Sequence, residues 1–73
     1  MDEQTFPYDP GVLAAFPGAR SCERGERETT YLAERAGVPY LVIVPRHSDG
    51  NVKVIAFEDE NERAAHLAQA VTA

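Results

Sequence analysis

A single cysteine, Cys22, in a chain of 73 residues sets the first constraint, because one thiol cannot close an internal disulfide. His47 and His66 are the remaining nitrogen ligand candidates, and with Cys22 they fall at no metal-binding spacing. Nothing covalent or metallic staples the fold, and no metal is expected. A domain of ~60 residues buries only about 60 % of the surface its unfolded chain exposes. The chain therefore needs a tight core or a partner surface. Its length admits one domain, with residues 1–19 reading as an N-terminal arm carrying a short helix and residues 20–73 as a single small α+β unit.

The local pattern predicts helix, helix, strand, strand, helix. Met1 to Thr5 is polar and expected to fray. Phe6-Pro7-Tyr8 reads as an extended aromatic arm, since proline disfavours helix in the residue before it. Asp9-Pro10 is a helix start, with Asp9 as N-cap and Pro10 at the first position. Val12, Leu13 and Phe16 share one side of that short helix, and Pro17-Gly18 ends it. Ser21 to Ala36 reads as a second helix, stopped by Gly37-Val38-Pro39, with Glu23/Arg27 and Arg24/Glu28 four residues apart on its exposed side.

Tyr40–Val44 and Val52–Phe57 are strand-like, and Asp49-Gly50 is a strong turn signal between them. A two-residue loop there would place Val44 opposite Ile55 and Val42 opposite Phe57. Asp59 to Thr72 is the third helix, with Glu62 completing a capping box. Ala64, Leu67, Ala68 and Val71 form its apolar stripe, and Glu62, Arg63, His66 and Gln69 face water.

A hairpin with two apolar faces is not covered by one helix. The expectation is an α+β, two-layer fold, its hairpin completed to a four-stranded antiparallel sheet by homodimerisation.

Charge narrows the function classes. Seven basic side chains stand against twelve acidic ones, a net charge of −5, which argues against direct binding of nucleic acid. The longest apolar run, Val38 to Pro45, is far short of the ~20 residues that span a bilayer. No secretory signal is visible, and a cytoplasmic protein is expected. Alanine and arginine usage suits a bacterial or phage origin. The glycines are dispersed as punctuation, with no phosphate loop, so no cofactor is expected.

Three surfaces remain as candidates. Phe6, Tyr8, Leu13 and Phe16 concentrate apolar side chains near the N-terminus and can serve as an anchor for another protein. Glu58, Asp59 and Glu60 open the third helix and, with Asp2, Glu3 and Asp9, can form an acidic patch; the macrodipole alone also accounts for acids there. Arg46 and His47 at the hairpin tip can hold an anion. Cys22, expected near a helix N-terminus, is the one candidate nucleophile. The function that follows is a small acidic, non-enzymatic regulatory protein that docks on another protein. The alternatives are a nucleic-acid mimic that inhibits a basic-groove protein, or a small enzyme subunit using Cys22.

Overall fold

The structure, a computed structural model, describes residues 1–9, 11–47 and 50–72, and the side chains of these up to residue 69. Five strands and one helix follow in chain order: β1 (Asp2–Pro7), β2 (Arg20–Arg24), β3 (Glu28–Arg35), β4 (Val38–Pro45), β5 (Asn51–Ala56) and α1 (Glu60–Thr72). A single 3-10 turn, Val12–Ala15, lies between β1 and β2. The strands form one antiparallel sheet in the order β1-β5-β4-β3-β2. Residues β2 to β5 are a meander, and β1 crosses to the far side to close against β5.

This overturns the expected helix–helix–hairpin–helix order. Residues 21–36 are two strands, because Thr29-Thr30-Tyr31 is a β-branched and aromatic run that prefers a pleated surface. Gly25 turns the chain between them, its N–H donating to the Glu28 carbonyl at 2.8 Å. Ala36 and Gly37 are the two-residue loop joining β3 to β4, both with positive φ, 53° and 81°. That is the primed turn whose twist suits a hairpin, so Gly37 ends no helix. Met1 to Thr5 does not fray: Asp2 to Pro7 pairs with β5 along its whole length.

The sheet completed by two copies is corrected as well. One chain supplies five strands, and both strands of the expected hairpin, β4 and β5, lie in the sheet interior. Their register differs by three residues from a two-residue loop: Val42 opposes Val54 and Leu41 opposes Ile55. The connection is longer, with Gly50 N–H donating to the His47 carbonyl at 3.1 Å. Asp49 and Pro10, on which a turn and a helix start were expected, lie outside the described residues.

Alternation along each strand loads both faces with apolar groups. On one face Val12 and Phe16 of the 3-10 turn pack on Ala33, Val42, Val52 and Val54, and Phe16 meets Tyr40 edge-on at 5.0 Å. The expected apolar side of this segment is therefore present in a shorter, tighter helix. On the other face α1 lays Leu67 over a cluster of Leu41, Ile55 and Phe57, flanked by Leu32 and Ile43. Full burial of such a side chain contributes about 1.5–3 kcal/mol.

The third helix starts as the capping signal predicts. Glu62 N–H donates to Asp59 Oδ1 at 2.8 Å, and Glu62 Oε1 accepts from Glu58 N–H. Its faces differ from expectation. Ala64 and Ala68 are exposed, while Arg63 is only 8 % exposed. One guanidinium nitrogen of Arg63 donates to the carbonyls of Ala33 (2.8 Å) and Tyr40 (3.0 Å), and the rest of the fork pairs with Glu60. A periodicity count cannot foresee this, since it assigns arginine to water whatever carbonyls lie within its reach.

Candidate functional site

On the α1 side the helix covers β4 and β5 but leaves a groove against the β2–β3 hairpin. Residues that share this face follow from the pairing: Glu23 opposes Thr30, Thr30 opposes Ile43, and Leu32 opposes Leu41. The groove encloses about 240 Å³. Its floor is apolar, made of buried Leu41 with half-buried Ile43 and Leu67. Glu23 of β2 and Glu28 of β3 stand along one wall, with Thr30 between them and the floor. His66 of α1 closes the opposite wall, its ring tilted on Phe57 at 5.4 Å between centroids.

Neither Glu23 nor Glu28 has a cation within 4 Å among the described residues. The field of Glu23 reaches its neighbour Cys22. That thiol is held above its ordinary pKa, first by desolvation and second by the Glu23 charge, partly offset by a backbone hydrogen bond and the more distant Arg63. Cys22 sits at an irregularity of the exposed strand β2, not at a helix N-terminus. The expected dipole activation is therefore missing, and burial and charge act in the opposite direction.

The other candidates separate. Phe16 is buried in the core, and Phe6 and Leu13 pack half-buried against the same cluster. Tyr8, 36 % exposed, stays at the surface. The four residues thus form no continuous exposed anchor. Glu58, Asp59 and Glu60 are exposed. Asp59 caps α1 and Glu60 pairs with Arg63, so two of the three have local work.

The β1–β5 pairing brings Asp2 opposite Ala56, and the Met1 ammonium lies 3.3 Å from Glu62, so acids from both chain ends share one end of the sheet. Asp9 follows the opposite end of β1 and does not join them. His47 lines an open hollow with Arg27 and Glu28; the Arg46 side chain is exposed, and its backbone N–H donates to the Arg27 carbonyl at 2.8 Å. No group of three or more potential metal ligands occurs among the described residues. No described helix is long and apolar enough to cross a membrane.

The chain matches no family model, no curated protein and no solved structure.

The reading of 21–36 as a helix places Glu23 and Glu28 on its solvated side as partners of Arg27 and Arg24. It therefore hides them as site residues. The signal that recovers them is the alternation Glu28, Thr30, Leu32 within β3, which puts one carboxylate, one hydroxyl and one apolar group on the helix-covered face.

Proposed function

We propose that this protein is a small non-enzymatic binding protein that acts by docking on another protein, with the groove between α1 and the β2–β3 hairpin as its contact surface. The observation that supports the reading is the groove itself, lined by half-buried Ile43 and Leu67 and by Glu23 and Glu28, which have no cation within 4 Å among the described residues. Its volume of about 240 Å³ is below the ~300–1,000 Å³ of sites that enclose drug-sized ligands, which favours a protruding side chain over a small-molecule substrate. A net charge of −5 steers the encounter toward a basic partner.

The test is capture from the source lysate by four tagged proteins: wild type, Thr30→Trp, Tyr8→Ala and Glu58→Gln/Glu60→Gln. Thr30→Trp fills the groove with a residue that still favours a strand, and Tyr8→Ala alters an exposed aromatic elsewhere. Circular dichroism and a thermal melt check that each variant is folded. One stoichiometric protein held by wild type and Tyr8→Ala, and lost by folded Thr30→Trp, supports the reading. Retention by Thr30→Trp removes the groove as contact surface. Retention there together with loss in Glu58→Gln/Glu60→Gln moves the contact to the acidic end of the sheet. No captured protein at low or high salt counts against docking.

A further inference from the structure

We infer that the groove recognises a single basic side chain, a lysine or arginine presented by an extended segment of the partner protein. The inference rests on the groove being the docking surface and specifies what enters it. Size comes first. A space of about 240 Å³ holds one long side chain and leaves no room for a helix face.

Polarity comes second. Half-buried Ile43 and Leu67 offer contact to an aliphatic stem, with Leu41 fully buried beneath them, while Glu23 and Glu28 line the same groove. Lysine and arginine are the side chains that combine an apolar stem with a charged head, burying the first and keeping the second in contact with water. A charge-assisted hydrogen bond from such a head to Glu23 or Glu28 is stronger than a neutral one.

Charge balance comes third. The two carboxylates carry no ion-pair partner among the described residues. Both line the same groove, and the raised Cys22 thiol registers the charge of Glu23. An acidic side chain entering the groove would meet like charge. A purely apolar one would gain the floor and nothing from the wall. The Thr30 hydroxyl and the His66 imidazole remain to orient the incoming backbone.

The experiment is a methyl-NMR titration of the full chain, following Leu41, Ile43 and Leu67. The probes are three blocked pentapeptides, Thr-Val-X-Val-Thr, with X as lysine, norleucine or glutamate. Norleucine keeps most of the stem and removes the ammonium. The lysine peptide is expected to shift the Ile43 and Leu67 methyls in the millimolar range. The norleucine peptide should bind about tenfold more weakly, the size one or two solvent-exposed ion pairs supply.

Glu23→Gln/Glu28→Gln should erase the difference between the two peptides, and added salt should narrow it. Equal binding of lysine and norleucine peptides to the wild-type protein overturns the inference. So does the absence of any groove methyl shift with the lysine peptide. Either failure leaves the docking reading to be judged separately, by whether Thr30→Trp loses the captured protein.

Discussion

Arg63→Met is the substitution that most directly probes how α1 is held on the sheet. Methionine retains the aliphatic stem and removes the guanidinium. The lost interactions are of two kinds. The pair with Glu60 joins a buried group to a carboxylate whose side chain is 68 % exposed, and solvent screening reduces such a pair to about 0–1 kcal/mol. The bonds to the carbonyls of Ala33 and Tyr40, at 2.8 and 3.0 Å, are charge-assisted and partly or wholly buried.

A hydrogen bond to a charged group contributes about 1.5–3 kcal/mol, and neither carbonyl is orphaned by its loss, since Ala33 and Tyr40 face one another in the β3–β4 ladder. Methionine recovers part of this, because it carries no charge to desolvate. The net expected loss is about 1–3 kcal/mol, or a fall in Tm of roughly 5–20 °C for a domain this small. Glu60→Gln should cost under about 1 kcal/mol. Urea titrations of the three proteins, with slopes compared so that compactness is held constant, read the ordering. An Arg63→Met protein within about 0.5 kcal/mol of wild type, or a larger loss in Glu60→Gln, would refute the assignment of the anchor to the carbonyl bonds.

Three further outcomes follow from particular residues. Ala36→Asn should raise stability by about 0.5–1 kcal/mol, because a non-glycine residue at φ 53° carries a left-handed penalty that asparagine tolerates better; a lower Tm would contradict the primed turn. Asp59→Ala should lower stability by about 1 kcal/mol through loss of the cap on Glu62 N–H, measured by thermal melt, and an unchanged melt would contradict it. Iodoacetamide should alkylate Cys22 in the folded protein with a rate–pH midpoint above that of the unfolded chain, since desolvation and Glu23 both disfavour the thiolate. Glu23→Gln should lower that midpoint, and a folded midpoint below the unfolded one would contradict the placement of Cys22.

The legible parts of the sequence were those governed by strictly local chemistry. Asp59 with Glu62 marked a helix start, and both side chains cap it. Asp9, read as a helix N-cap, does not cap one: the 3-10 turn Val12–Ala15 starts after Gly11, and the Asp9 carboxylate accepts the Gly11 N–H at 2.9 Å instead. Tyr40 to Val44 marked a strand through its β-branched and aromatic residues, and the pairing extends that strand to Val38–Pro45, across the residues that read as a helix stop. Residues 21–36 misled because glutamate and arginine four apart suit a helix surface and a solvated strand equally. The turn that decides the matter is Ala36-Gly37, where only the second residue advertises a positive φ.

The edge strand β1 was hidden for a different reason. Asp2, Glu3 and Gln4 are exposed and polar, and they are held by backbone pairing to β5 that no side-chain pattern records. The groove followed the same logic: Glu23 and Glu28 become its wall only once β2 and β3 are strands. Arg63 needed the third dimension, since its partners stand 30 and 23 residues away in the chain.

The central claim is that another protein docks through the α1–β2–β3 groove. Methyl-NMR of the labelled chain bound to the captured protein tests it most directly. The account predicts that Ile43 and Leu67 methyls shift and broaden on binding, while Val52 and Val54, under the 3-10 turn on the opposite face, keep their positions. Unchanged groove methyls, with the perturbation confined to the acidic end around Met1 and Glu58 or to the opposite face, would contradict it.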